Sequence, residues 1–213
     1  MTIKQRYEGV ISIFQEMMPD PKTELCYDTP FHLLLAVILS AQCTDKRINM
    51  VTPALYARYP EPGDMAASSE EEVYSYIKSV TFPNNKAKAL IKAARMIHEE
   101  YGDELPCDID KLMRLPGVGR KTANVMLSVV WNKSAMAVDT HVFRVSNRIG
   151  LTNDSPNPVA TEKTLVKYIP EELVARAHHW LILHGRYVCK ARKPECMECA
   201  IRDYCKSYNK IRR

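Results

Sequence analysis

The sequence predicts an all-α protein. Apolar residues recur at helical spacing along most of the chain. Capping and breaking residues punctuate those stretches at intervals that suit helices of 8–20 residues. No segment combines strict apolar/polar alternation with flanking turn signals, as a half-buried strand would.

Ile3, Tyr7, Val10, Ile11, Phe14, Met17 and Met18 give a first helix over 3–18, which Pro19 and Pro21 stop. Thr29-Pro30 opens a strongly apolar helix over about 31–42, buried on most sides. Amphipathic helices follow near 45–59, 69–79 and 84–101, the last ending at Gly102. A short helix near 108–114 leads into Leu115-Pro116-Gly117-Val118-Gly119, and another runs over about 120–131. Asp139 starts the next, which Gly150 ends, and helices near 158–168 and 171–185 lead to a cysteine-rich end. There is no internal repeat and no low-complexity stretch.

At 213 residues and 46% hydrophobic content the chain suffices for one large domain, or two small ones sharing an interface. Residues 176–213 hold ten Lys or Arg against three acids, while the whole chain carries a net charge of only +5. A basic end on a near-neutral body reads in two ways: a polyanionic partner, most simply nucleic acid, or a solvated tail that aids solubility. The N-terminus lacks an apolar signal-peptide region, and the longest apolar run, Phe31–Leu39, is too short for a bilayer. The expected location is cytoplasmic, with no membrane. In that reducing setting the seven cysteines are not expected to form disulfides.

Within residues 109–131, the Leu115–Gly119 turn and the helix that begins at Arg120 resemble a helix-hairpin-helix motif. Its glycines permit a tight turn, and N–H groups at the positive end of the second helix suit a DNA phosphate without reading base sequence. The alternative is an ordinary αα-turn. Lys121 falls in the first turn, where the helix dipole disfavours an ammonium, and a neutral amine is what Schiff-base chemistry needs. The bland reading makes Lys121 another phosphate contact or a solvated lysine. Asp139 follows an apolar stretch and precedes a helix, so it reads as an N-cap. A held carboxylate at that point is also able to stabilise a developing cationic sugar or activate a lysine.

Cys189, Cys196, Cys199 and Cys205 are spaced C-x6-C-x2-C-x5-C. Four thiolates so close enclose a metal centre, and the spacing alone fits zinc or an iron–sulfur cube. Lys190, Arg192 and Lys193 lie in the loop between the first two and suit phosphate contacts. Cys26, Cys43 and Cys107 are expected to be buried apolar fillers.

Together, Leu39-Ser-Ala-Gln-Cys-Thr-Asp45, Leu115–Asn124, Val138–Val145 and the four clustered cysteines resemble the endonuclease III family of DNA glycosylases over nearly the whole chain. The resemblance implies two helical lobes flanking a DNA groove: a six-helix barrel over about 23–133, and an iron–sulfur lobe from 1–22 plus 134–213, with its cluster loop at 189–205. It implies one 4Fe–4S cluster on the four cysteines, and duplex DNA bearing damaged pyrimidines or abasic sites as partner. By resemblance, Lys121 attacks C1′, Asp139 assists, a Schiff base forms, and β-elimination cuts the strand on the 3′ side. Gln42 matches the residue that fills the space left by a flipped nucleotide. Phe82, in a stretch that departs from better-known members, is the expected wedge, since an aromatic ring stacks on exposed bases. Asp45, His141 and Arg144 are expected near the site. A monomer is the simplest assembly.

Two rivals have identifiable marks. The adenine-specific branch has a non-lysine residue at the position of Lys121, a catalytic glutamate in the helix that is 31–42 here, and a further C-terminal domain. This chain has no acid from Phe31 to Thr44 and runs eight residues past Cys205. Thymine-mismatch glycosylases of similar sequence typically lack the lysine. A non-catalytic DNA-binding module with structural zinc would not require Lys121 and Asp139 where they stand.

Overall fold

The computed structural model describes residues 1–211, and Arg212 and Arg213 of the basic end lie outside the described residues. Among the described residues every regular element is a helix: α1 (Ile3–Met17), α2 (Pro30–Leu39), α3 (Asp45–Arg58), α4 (Pro62–Ala66), α5 (Glu70–Ile77), α6 (Pro83–Tyr101), α7 (Ile109–Arg114), α8 (Arg120–Trp131), α9 (Thr140–Ile149), α10 (Pro158–Tyr168), α11 (Val174–Tyr187) and α12 (Lys206–Ile211), with 3-10 turns at Glu171–Leu173 and Arg202–Tyr204. None is long and apolar enough to cross a membrane.

Caps written into the sequence set most of these boundaries. Thr2, Thr29, Thr44, Ser69, Asp108, Asp139 and Asn157 each accept a backbone N–H of the helix that follows. Each such bond is worth about 1 kcal/mol. Gly102 and Gly150 end α6 and α9 in the left-handed conformation. Helix α2 stops at Leu39, short of the expected 42. The Ser40 hydroxyl donates to the Val37 carbonyl at 2.8 Å, and Gln42 takes a left-handed backbone at φ 56°, which no α-helix accommodates.

The chain divides into two compact units, Thr23–Trp131 and Met1–Lys22 with Asn132 onward. The contiguous unit is built around α2, whose residues Phe31 to Leu39 are all buried. A helix apolar on every side must lie inside, and each of its Leu, Ile and Phe side chains contributes at most about 1.5–3 kcal/mol of burial.

The discontinuous unit closes around Trp180, which is fully buried and donates its indole N–H to the Met18 carbonyl at 2.7 Å. Tyr7, Val10 and Phe14 of α1 share this core with Val142, Val145 and Ile149 of α9 and with Leu181 and Ile201. The Tyr7 hydroxyl donates to the Leu151 carbonyl at 2.8 Å, and Arg6 donates to the carbonyls of Tyr204 at 2.9 Å and Gly150 at 3.1 Å. The bond from Arg6 to Tyr204 ties α1 to the cysteine-rich segment, and the other two tie it to the end of α9.

Candidate functional site

The hairpin lies in the contiguous unit. Asp108 accepts the N–H groups of Asp110 and Lys111 at 3.0 Å to start α7, and Leu115 ends it with an extended backbone. The Val118 N–H donates to the Leu115 carbonyl at 3.0 Å, which closes the turn. Gly117 has φ +83°, and a Cβ there would sit 3.1 Å from the Ala89 Cβ and 3.3 Å from Ile38 Cγ2. This position therefore needs glycine twice over, for its backbone and for the close seat on α6 and α2.

Gly119 has nothing within 4 Å of such a Cβ. Its carbonyl accepts the Ala123 N–H at 2.9 Å, so it stands directly ahead of α8 without a side chain to cap the first turn. Leu115 and Val118 bury their side chains, and any contact of theirs with a ligand is through the backbone. Pro116 is half-buried, while Arg120 and Lys121 are exposed on the first turn.

Asp139 lies in the discontinuous unit. Its Oδ1 accepts the Val142 N–H at 2.7 Å, so the cap expected from sequence is present, after the buried residues Ala135–Val138. Helix α9 carries further groups whose partners are specific. Arg144 donates to the carbonyls of Gly185 at 2.8 Å and Cys189 at 3.1 Å, and to His141 Nδ1 at 3.2 Å. One turn on, Arg148 donates to the carbonyls of Lys190 and Ala191, both at 2.8 Å, and lies 3.7 Å from Cys189 Sγ. A Cβ on Gly185 would stand 2.9 Å from the His141 Cβ, so glycine lets α11 approach α9 closely. The structure thus gathers Asp139, His141, Arg144 and the start of the cysteine loop around α9. Arg148 belongs to this group and was missed, because an arginine at a helix end reads as solvated.

Cys189, Cys196, Cys199 and Cys205 line one pocket with the apolar side chains of Ile149 and Ile201. Among the described residues no three His, Cys, Asp or Glu converge on a single metal-ion position. Burial pushes the Cys199 thiol up to about 11 and raises Cys205 as well, with the neighbouring cysteines adding to both. Four thiolates crowded this way repel one another, and a cationic core relieves that repulsion. Four soft sulfurs around a shared void fit an iron–sulfur cluster.

In the loop they bound, Lys190 Nζ pairs with Glu195 at 2.5 Å, while Arg192 and Lys193 are exposed. The other three cysteines are not the buried fillers the sequence suggested: Cys26 is exposed, and Cys43 and Cys107 are half-buried. At Cys26 the backbone rather than the thiol is fixed, its N–H donating to Asn49 and its carbonyl accepting from Tyr56.

Gln42 and Phe82, in the contiguous unit, are both exposed and both left-handed, at φ 56° and 51°. For residues other than glycine such backbones cost on the order of 1–3 kcal/mol each and persist only where the surroundings fix them. They are fixed by one buried ammonium. Lys86 Nζ donates to the carbonyls of Leu39 at 2.8 Å and Ala41 at 2.7 Å and to Thr81 Oγ1 at 3.1 Å. Thr81 Oγ1 in turn lies 3.1 Å from the Gln42 carbonyl. Lys86 is only 7% exposed, and burial lowers its pKa. Sequence reasoning missed it, although it precedes Ala87, Leu90 and Ala94 on the buried face of α6, an unusual place for a lysine. Asp45, the first residue of α3, is half-buried behind its cap Thr44.

Two family profiles match the chain. That of the HhH-GPD superfamily base excision DNA repair proteins covers residues 35–171, and that of the iron–sulfur binding domain of endonuclease III covers residues 189–205. The endonuclease III of Rickettsia conorii is 48% identical over 199 residues, 93% of this chain and 94% of that protein. The endonuclease III of Escherichia coli (strain K12) is 45% identical over 204 residues, 95% of each. A solved structure of a trapped endonuclease III–DNA covalent intermediate superposes with a TM-score of 0.92 at 44% identity, covering 100% of both chains. With its hairpin, its capped Asp139 and its four clustered cysteines, the chain belongs to the endonuclease III family of the HhH-GPD superfamily of base excision DNA repair proteins.

Proposed function

We propose that this chain is a DNA glycosylase and abasic-site lyase that removes oxidised pyrimidines from duplex DNA, with Lys121 as nucleophile and Asp139 as its carboxylate partner. The observation that carries the reading is Lys121 itself: an exposed amine on the first turn of α8, directly after a turn whose Gly119 leaves the helix start open to an anion. The Gly117–Gly119 backbone and Arg120 hold the phosphates of the damaged strand, and Gln42 and Phe82 enter the stack where the damaged nucleotide has left it.

The Lys121 Nζ lone pair then forms a bond to C1′ as the C1′–N bond to the base breaks, and the base leaves with that electron pair and takes up a proton. Asp139 opposes the positive charge that develops on the sugar and accepts a proton from the attacking amine. Ring opening gives a protonated Schiff base. Loss of a proton from C2′ and departure of the 3′ phosphate cut the strand, and water releases Lys121.

One 4Fe–4S cluster would be held by Cys189, Cys196, Cys199 and Cys205. When bound it supplies a rigid anchor for the loop that carries Arg192 and Lys193 toward phosphates. The contiguous unit serves as the barrel lobe, and the discontinuous one as the cluster lobe. The enzyme works with the DNA in the cytoplasm.

The test is borohydride trapping on a duplex with a single thymine glycol. A covalent adduct is expected with the native chain and none with Lys121→Ala. Base loss without any adduct would make the enzyme monofunctional and overturn the role of Lys121.

A further inference from the structure

We infer that Lys86 is a positioning residue that holds Gln42 and Phe82 as a single two-pronged wedge. The inference rests on the proposed entry of those two side chains into the DNA stack.

Phe82 has φ 51° and ψ 52°, is 60% exposed, and is followed by Pro83. Three preferences are violated at once: a bulky aromatic avoids the left-handed region, a residue before proline avoids helical torsions, and a large apolar side chain gains nothing from water. Gln42, on a neighbouring loop, is likewise left-handed without being glycine. An isolated loop would relax both.

What prevents relaxation is the Lys86 side chain and its own backbone. The Lys86 N–H donates to the Phe82 carbonyl at 3.1 Å. Its ammonium spends its three protons on Leu39 O, Ala41 O and Thr81 Oγ1, which are the end of α2, the residue before Gln42 and the residue before Phe82. Thr81 Oγ1 also lies 3.2 Å from the Ala41 carbonyl and 3.1 Å from that of Gln42, so it joins the two loops directly. One cation at the C-terminal end of α2 therefore fixes both tips relative to each other. With every proton engaged, Lys86 is no rival nucleophile to Lys121.

Single-turnover excision of thymine glycol would be compared in a fully paired duplex and in a mismatched bubble, where the base is already unstacked. The variants are Lys86→Met, Thr81→Val, Phe82→Ala and the Phe82→Ala/Lys86→Met double. Circular dichroism and cluster colour monitor folding. Lys86→Met should slow excision in the paired duplex by about 10- to 100-fold, the upper figure being the scale of a 1 Å misplacement. In the bubble its rate should approach that of the native chain, and in the Phe82→Ala background Lys86→Met should cost less than it costs the native chain, since only the Gln42 prong is left to misplace.

Equal slowing on both substrates, or additive losses in the double variant, would overturn the inference in favour of a purely structural lysine. If Phe82→Ala leaves the paired-duplex rate unchanged, the wedge reading fails and the inference falls with it. If Phe82→Ala slows excision and Lys86→Met does not, the inference alone fails. Should Lys86→Met not fold, Thr81→Val breaks the same clamp from its exposed side and is read by the same criteria.

Discussion

Asp139 holds the start of α9 through one oxygen and, in the mechanism proposed, faces a developing positive charge. The two duties separate cleanly, because asparagine caps a helix about as well as aspartate but carries no charge. Asp139→Asn should therefore melt with a stability change of less than about 0.5 kcal/mol while its excision rate falls by about 100-fold. Thermal denaturation and single-turnover kinetics on thymine glycol measure the two effects, and a native excision rate would remove Asp139 from the chemistry. The cap was legible in the sequence, since an acid ahead of an apolar-periodic segment has few other uses. Lys86 was not, because a lysine's burial is decided by carbonyls brought to it from the end of α2, more than forty residues away in sequence.

Helices were legible where they were long enough to show an apolar period. Helix α4 has five residues and α12 six, too few for that signal, and both went unread, whereas the equally short α7 was legible because the Leu115–Gly119 turn marks its end. The end of α2 was misplaced because tertiary bonds from Thr81 and Lys86, rather than propensity, fix the residues after Leu39. Helix α9 shows what an element adds beyond its residues. Its N-terminus is held by Asp139, and Arg144 and Arg148 on its body take the carbonyls of Cys189, Lys190 and Ala191. Outer partners of metal ligands are commonly worth 10–100-fold in metal affinity. Arg148→Met is thus expected to lose iron to a chelator about tenfold faster, followed as bleaching of the cluster colour. Unchanged bleaching would mean that the cysteines alone hold the loop.

For the whole molecule, part of the acid dependence of stability comes from two imidazoles on α11, His184 and His179, each pushed by burial from 6.5 to about 4, and His179 illustrates the effect. The folded chain keeps this imidazole neutral, whereas the unfolded chain takes up a proton below its ordinary value. The unfolded state therefore binds more protons between pH 6.5 and 4, and stability falls as pH drops through that window, by at most about 3 kcal/mol for a shift of this size. Asp28 and Asp154, exposed carboxyls lowered by His32 and Lys206, act only at lower pH. Melting temperatures should decline between pH 6.5 and 4 in the native chain and decline less in His179→Leu. Equal slopes would assign the loss to other groups.

The joining of the chain's two ends has a consequence for the order in which the protein comes off the ribosome. Residues 23–131 form one uninterrupted unit and are free to fold as soon as they emerge. Helix α1 precedes that unit, yet the core that Tyr7, Val10 and Phe14 enter begins only with Met136 and is completed only with Trp180 and Ile201. The cluster cysteines, too, follow the contiguous unit in the chain. Iron insertion is thereby deferred until the contiguous unit has had time to fold.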